Sequence, residues 1–172
     1  MFGNKKKKLS DRMKNEAVSL GLCAEWTAEW KDGSSKDEMA EKYVNGIDFC
    51  IARDWPSCDF IKKNFGDVMH KHGVYVDEAV RLRNPKTVIL NGRCDATITC
   101  DGYAVTNIYV RHSSKLSIIC KHMANVRINV LDSASVSVSC DKFAKVFVYK
   151  YSGEVNANGK VIVRDRSGFK FA

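Results

Sequence analysis

The sequence predicts an α+β protein in which an N-terminal helical region caps a short, C-terminal parallel β-solenoid. Three observations predict this fold: a ten-residue repeat between Thr87 and Ser152, alternation of apolar and polar residues within each repeat, and a closer match between units twenty residues apart. A repeat of fixed length indicates that equivalent units stack on one another. The repeat therefore defines the architecture before helix and strand propensities are considered.

One apolar column recurs every ten residues without exception. Its members are Val88, Ile98, Ile108, Ile118, Ile128, Val138 and Val148. Within each unit, apolar residues such as Val126, Ile128 and Val130 alternate with polar ones, and a period of two is typical of a strand with one buried face. An antiparallel meander and a parallel solenoid both fit short strands joined by short links.

The twenty-residue pattern favours the solenoid. Cys100, Cys120 and Cys140 are each followed three residues later by a large apolar residue, namely Tyr103, Met123 or Phe143. In a meander, residues twenty apart lie on strands that are not neighbours. In a solenoid with two ten-residue sides they lie about 4.8 Å apart on adjacent strands. We expect about four coils, in which cysteine packs on cysteine and large apolar residue on large apolar residue.

The chain is expected to divide into four parts: a basic tail (residues 1–8), a helical cap region (9–80), the solenoid (81–166) and a C-terminal cap or tail (167–172). Lys150 and Glu154 interrupt the buried columns. We therefore expect the last coil to loosen and residues 164–172 to cover its open edges, because solenoid ends generally need caps.

Helical spacing of apolar residues predicts the elements of the first half. Ser10 is expected to cap a helix that continues to Trp30, and a second helix should carry a stripe of apolar residues from Met39 to Ile51. Trp55-Pro56-Ser57 should end that helix, and Ser57 should cap a short third one. These stripes are interpreted as core.

Composition limits the classes of function. The chain has 172 residues and a net charge of +8, and residues 87–172 hold 12 Lys and Arg against 6 Asp and Glu, a balance of +6. No transmembrane segment or export signal is recognised, so the seven cysteines are expected to be free thiols in a reducing, cytoplasmic setting.

Catalysis, cofactors and metals are not expected. The available zinc ligands show no CxxC pair; they are Cys23, Cys50, Cys58, His70 and His72. A His112–Asp132 contact would have no nucleophile beside it. The outer strand columns hold no acid, so the paired carboxylates of sugar-cleaving β-helices are absent from them.

The most promising functional surface is one outer side of the solenoid. It is predicted to carry Tyr109, Arg111, Arg127, Asn129, Phe147 and Tyr149. Exposed aromatic residues with arginines and amides are typical of protein interfaces and of nucleic-acid stacking surfaces. The alternative is that the helical half or the C-terminal tail folds over this side. The first function hypothesis is thus a non-enzymatic binding or scaffold protein that recognises a macromolecular partner, most readily a protein.

A second hypothesis is nucleic-acid or nucleotide binding through the basic solenoid. A separate contact with phosphates or an anionic membrane could come from the tail residues Lys5, Lys6, Lys7 and Lys8. A merely solvated tail remains the alternative.

A third hypothesis is self-assembly into a homo-oligomer. The opening Met1-Phe2-Gly3-Asn4-Lys5, together with a short solenoid, resembles the bactofilins. This resemblance implies a structural protein that polymerises end to end. The chain differs from that family in its long helical half and in the few glycines of its coils.

Overall fold

The computed structural model describes residues 2–171, with side chains described from residue 9 onward. The chain forms two compact units. One contains the residues up to Met69 and the last few residues of the chain, and the other comprises His70–Phe169. The division between the units thus lies at Met69, whereas the sequence placed the start of the solenoid at residue 81.

The first unit contains the helices, apart from His70 and Lys71 at the end of the sixth helix. The helices are α1 (Phe2–Ser19), α2 (Ala24–Glu29), α3 (Lys36–Asn45), α4 (Ile47–Arg53), α5 (Cys58–Asn64) and α6 (Val68–Lys71). Helix α3 contacts both α1 and α4. Met39, Tyr43 and Ile47 of the second predicted stripe are buried, which fits its interpretation as core. In the first helix, Met13 and Ala17 are buried instead of the expected Val18, which is 45% exposed.

The predicted helix from Ser10 to Trp30 is wrong at its start and is broken in the middle. Helix α1 begins at Phe2 and ends at Ser19, and Gly21, with a φ of +96°, lies in the break before α2. Ser10 is buried inside α1, where its hydroxyl accepts a hydrogen bond of 3.1 Å from the indole N–H of Trp30. This serine therefore satisfies a buried donor and does not cap a helix.

The second predicted helix is interrupted at Gly46, where α3 ends and α4 begins. Two serines cap helices. Ser35 and Glu38 form a capping box at the start of α3, and Ser57 accepts a 3.2 Å hydrogen bond from the backbone N–H of Phe60 at the start of α5, which confirms the Ser57 prediction.

The second unit is a parallel β-solenoid, as predicted. Its strands are β1 (Val74–Val76), β2 (Ala79–Arg83), β3 (Thr87–Asn91), β4 (Asp95–Cys100), β5 (Val105–Val110), β6 (Lys115–Cys120), β7 (Asn125–Val130), β8 (Ser135–Cys140), β9 (Lys145–Lys150), β10 (Glu154–Gly159) and β11 (Val161–Asp165). The odd-numbered strands form a six-stranded sheet, and the even-numbered strands form a five-stranded sheet. All neighbouring strands run parallel.

The register between coils follows the twenty-residue pattern. Cys100 pairs with Cys120, which pairs with Cys140, and Ile98 and Ile118 pair in the same way. Each strand from β4 to β8 buries alternate residues, and these residues form one continuous core between the two sheets. Small corner residues are buried as expected; they include Cys94, Ser114, Ala124, Ala134 and Ala144.

The large apolar residues of the links do not pack into the core. Tyr103, Met123 and Phe143 are 86%, 52% and 56% exposed. Each immediately precedes the small corner residue, as Met123 precedes the buried Ala124. Adjacent residues at such a corner point to opposite sides of the chain, so the large side chain faces solvent.

The last coil continues the parallel strand pairing, although most residues of its two strands are exposed. Strand β10 pairs with β8, and β11 pairs with β9 in regular register, although the corner between β10 and β11 is shortened to Lys160. A Cβ on Gly159 would overlap the carbonyl oxygen of Cys140, so this close approach requires glycine. Arg164 and Asp165 belong to β11, and Val163 is 46% exposed. The predicted covering of the last coil by residues 164–172 is therefore wrong at Val163.

Candidate binding face

The outer surface of the six-stranded sheet carries three columns of side chains, which we call the aromatic–arginine face. The first column is Thr87, Asn107, Arg127, Phe147 and Ile162. The second is Ile89, Tyr109, Asn129, Tyr149 and Arg164. The third follows the ends of the strands and contains Asn91, Arg111, Leu131, Tyr151 and Arg166. The solenoid therefore brings together residues that lie fifteen or twenty positions apart in the sequence.

Two arginines lie over the aromatic rings of this face. The guanidinium carbon of Arg164 is 5.7 Å from the ring centre of Phe147 and 5.9 Å from that of Tyr149. Arg166 approaches the Tyr149 ring at 5.8 Å. Cation–π contacts of this kind hold the guanidinium groups close to the sheet. The two aromatic rings and the guanidinium groups of Arg164 and Arg166 are therefore parts of one continuous surface.

A cleft of about 320 Å³ opens on this face. It is lined by Asn107, Tyr109, Arg127, Asn129, Tyr149, Tyr151, Arg166 and Phe169. Phe169 forms one wall, because its ring meets the Tyr151 ring edge-on at 5.7 Å. The lining contains two arginines and no carboxylate, so the cleft favours a negatively charged ligand group.

The predicted site residues occupy different environments. Arg127 is exposed, and Tyr109, Phe147 and Tyr149 are half-buried. Asn129 is 8% exposed, and its amide donates to the Ile108 carbonyl at 3.2 Å. This amide therefore forms the floor of the cleft.

Arg111 does not belong to the exposed part of the face. It is only 2% exposed, and its Nη1 donates a 3.2 Å hydrogen bond to the side-chain oxygen of Asn91. Arg111 lies at a corner between coils, where the chain leaves β5. It is better described as a structural residue of that corner.

The residues predicted for this face do not include Tyr151, Arg164, Arg166 and Phe169, which line the cleft or contact its rings. The positions of Arg164 and Arg166 follow from the shortened last coil, which shifts the register from twenty residues to fifteen between Val146 and Val161. Tyr151 keeps the twenty-residue register with Leu131. The sequence hypothesis that the C-terminal tail approaches this face is supported at Arg166 and Phe169.

At one corner of the coils, the side chains of His112 and Asp132 accept hydrogen bonds from backbone N–H groups. The Asp132 carboxylate accepts a 2.8 Å hydrogen bond from the His112 N–H, and His112 Nδ1 accepts one of 2.9 Å from the Gly92 N–H. Both His112 and Asp132 have positive φ values of 56° and 54°. The predicted His112–Asp132 contact thus exists through the backbone, and it stabilises a tight corner.

The opposite corner column uses its acids in the same way. Asp141 accepts hydrogen bonds from the backbone N–H groups of His122, Phe143 and Ala144 at 2.7, 2.9 and 2.9 Å. The bond from His122, followed by that from Ala144, holds the pKa of the Asp141 carboxyl below its usual value. Asp101 pairs with Arg83 at the same edge.

The outer strand columns are not free of acids, contrary to the sequence analysis. Asp95 begins β4 and pairs in register with Lys115, while Glu154 begins β10. Both lie on the five-stranded sheet, away from the aromatic–arginine face.

The proposed metal ligands are dispersed. Cys23 is exposed, Cys50 is buried, and His70 Nε2 lies 2.8 Å from a Glu78 carboxylate oxygen. Among the residues from 9 to 171 whose side chains are described, no group of three or more potential ligands is placed to hold a metal ion.

The helical unit has a cavity of its own, of about 420 Å³. Trp26, Trp30, Phe49 and Trp55 contribute to its lining. The Lys42 ammonium lies 5.9 Å from the Trp26 ring and 6.0 Å from the Trp30 ring. Arg53 and Asp48 also line this cavity, so its aromatic wall is accompanied by charges of both signs.

No protein-family model, curated protein or solved structure matches this chain. Within residues 2–171, no helix combines the length and the apolar character needed to cross a bilayer. Lys5, Lys6, Lys7 and Lys8 belong to α1, but their side chains lie outside the described residues, so their contact with anions or membrane stays a prediction.

Proposed function

We propose that this chain is a non-enzymatic binding protein that recognises an acidic segment of a protein partner through the aromatic–arginine face. The observation that carries the proposal is the cleft with three tyrosine rings, two arginines and no carboxylate in its wall. Tyrosine and arginine are the residues most enriched where protein interfaces derive their affinity.

The shape of the cleft supports a partner that inserts side chains. Its volume of about 320 Å³ accommodates a few side chains of a peptide segment. Tyr109 and Tyr149 flank Asn129 in the second column, so a buried amide lies between two rings. An acidic or amide group could accept hydrogen bonds from Arg127 at the exposed edge, while an apolar group contacts the rings.

Nucleic-acid binding is the alternative, and the +6 balance of residues 87–172 supports it. We place it second because stacking of bases needs free ring faces. The Phe147 and Tyr149 rings are already contacted by Arg164 and Arg166. Arg127 and Arg166 are the exposed cations of the cleft, and two charges are a small electrostatic footprint for a phosphate backbone.

The proposal includes the absence of catalysis and a reducing, cytoplasmic setting. Asp132 and Asp141 bind corner backbone, so these carboxylates are engaged in structure. The solenoid core holds free thiols at Cys94, Cys100 and Cys120. Free thiols are typical of proteins in a reducing compartment.

The test compares affinity purification with wild-type protein, a Tyr109→Ser/Tyr149→Ser variant and an Arg127→Glu variant. Tyr103→Ser is the matched control, because Tyr103 is 86% exposed and lies off the face. Proteins that bind the wild type and the Tyr103→Ser control should bind neither the Tyr109→Ser/Tyr149→Ser variant nor the Arg127→Glu variant; we call these two the face variants. With a purified partner, we expect Kd to rise at least about 30-fold in the double variant, the size typical of an interface hot spot.

Two outcomes would overturn the proposal. One is a partner that the face variants bind as tightly as the wild type does. The other is capture that nuclease treatment abolishes, together with affinity for RNA that falls steeply with salt, which would establish the nucleic-acid alternative. Thermal melts of all variants confirm that the comparison is made between folded proteins.

A further inference from the structure

The last coil of the solenoid leaves the core open. Val155 and Val161 are only partly buried against the core cluster, and Val163 is 46% exposed. At the first coil, Val80 is 3% exposed, while Tyr75 and Leu82 are partly buried against the same core. The end formed by β10 and β11 thus presents apolar residues to solvent, and such an end normally needs a cover.

The backbone of this end is also unpaired on its outer edge. The N–H of Glu154 donates to Ala134, and that of Arg166 donates to Lys150, so these residues face the preceding coil. Alternate residues of a strand direct their backbone groups to opposite sides. We call a residue outward-directed when its backbone N–H and C=O groups point away from the preceding coil. These residues are Val155, Ala157 and Gly159 on β10, and Val161, Val163 and Asp165 on β11.

We propose that this end binds the same end of a second copy of the chain, forming a closed, two-fold symmetric dimer. Strand β10 pairs antiparallel with β10 of the second copy, centred on Ala157, and β11 pairs with β11, centred on Val163. A two-fold axis necessarily pairs each strand with itself in antiparallel sense.

One axis serves both strand pairs. Ala157 and Val163 each lie three residues from the shared corner at Lys160, so they face one another across the coil. Centring on these residues pairs Val155 with Gly159 of the second copy and Val161 with Asp165. All of them are outward-directed residues, so each pair exchanges two backbone hydrogen bonds, about twelve in total.

The charges of β10 are self-complementary in this register. Glu154 lies opposite Lys160 of the second copy, and two-fold symmetry repeats that pair at the other end of the strand. Both residues are exposed. Arg166, which follows β11, is directed to the aromatic–arginine face by its contact with Tyr149. Opposite charges directly across a strand pair stabilise it, and like charges destabilise it.

A closed dimer is expected in preference to a filament. A two-fold contact uses the same end of both copies, so it leaves no β10–β11 end for a third copy. The surface used for the dimer differs from the aromatic–arginine face. The dimer proposal can therefore be wrong while the proposed partner binding is right. Equally, the chain can form the dimer and fail to bind a partner through the aromatic–arginine face.

The test is sedimentation of the full chain over a range of concentrations. We expect a species of twice the 19.3 kDa chain mass. Glu154→Lys and Lys160→Glu should each raise the dimer dissociation constant at least about tenfold, and the double exchange should restore it. Lys145→Glu, on an inner strand, makes the same charge change as Lys160→Glu and should leave the dimer unchanged.

A second variant tests the backbone pairing. Ala157→Pro removes an outward N–H without removing a hydrogen bond to β8, and proline is tolerated on edge strands. It should give a folded monomer, as judged by circular dichroism. A wild-type chain that stays monomeric at every concentration would overturn the proposal. So would a dimer that both charge variants and Ala157→Pro leave intact, or growth into larger assemblies.

Discussion

Cys100 lies directly beside Cys120 on the neighbouring parallel strand, although twenty residues separate them in the chain. Both side chains are fully buried in the solenoid core. Cys140 continues the same column on the next coil. This relationship means that each residue of the repeat contacts its own equivalents, so a substitution in one coil acts mainly on the two adjacent coils.

The buried isoleucine column should dominate the stability of the solenoid. Ile118 is 1% exposed and lies between Ile98 and Val138. We expect Ile118→Ala to lower the free energy of unfolding by about 2–5 kcal/mol, because it leaves a cavity in a stack that cannot close around it. Urea denaturation followed by circular dichroism measures the loss.

The matched control for this prediction is Ile119→Ala. Ile119 adjoins Ile118 in β6 but points outward and is 42% exposed. Its truncation should cost no more than about 0.5 kcal/mol. Equal losses for the two variants would contradict the assignment of inner and outer columns.

The core cysteines should be unreactive in the folded protein. The Cys120 thiol donates toward Cys100, and this bond, together with burial, raises the pKa of Cys120. Burial likewise raises the pKa of Cys94. The hydrogen bond from Cys120 lowers the pKa of Cys100 to about 7, so Cys100 is protected by its complete burial and not by protonation. With a thiol-specific chromogenic reagent at pH 8, we expect rapid labelling of the exposed Cys23 and slow labelling of Cys94, Cys100 and Cys120.

Addition of guanidinium should make all seven cysteines react at once. Cys23→Ser should remove the rapid phase without changing stability. Rapid labelling of Cys120 in the native protein, located by mass spectrometry, would show that the coils open far more easily than their packing implies.

Stability should fall in acid through Asp141. Its folded-state pKa lies below the unfolded value, so its contribution is fully present above about pH 4–5 and is lost as the pH falls through the folded pKa. We expect Asp141→Asn to lower the melting temperature at pH 7 and to reduce the difference in melting temperature between pH 7 and pH 3.

Asp11→Asn serves as the control, because it removes the same charge from an exposed position of α1. Its melting temperature should follow the wild type at both pH values. An Asp141→Asn variant with an unchanged pH profile would mean that the backbone bonds to His122, Phe143 and Ala144 do not depend on the carboxylate charge.

The solenoid could be predicted because its cause is local and repeated. Alternation along strands such as β6 identifies the buried face, and the match of Cys100 with Cys120 identifies which strands are neighbours. The helical half was harder. Gly21 and Gly46 interrupt stripes that look continuous in sequence, and the burial of Ser10 depends on a partner, Trp30, twenty residues away.

The candidate site could be predicted only in part. Tyr109, Arg127 and Tyr149 were placed on the correct outer side, because the repeat sets their register. Arg111 was placed on that side by the same argument, but it lies at a corner where the strand alternation no longer applies. Arg166 and Phe169 lie beyond the last repeat, so no periodicity could locate them.

The amino-acid sequence by itself determined the repeat length, the inner and outer columns, and hence the parallel stacking of coils. These properties follow from periodicity, because equivalent residues of successive coils lie next to one another and must pack together in every coil. Only the tertiary structure decided that the last coil contracts at Lys160, that Arg164 and Arg166 contact the rings of Phe147 and Tyr149, and that Val163 remains open to solvent. Such features depend on contacts between residues that share no period, and their geometry exists only once the chain is wound.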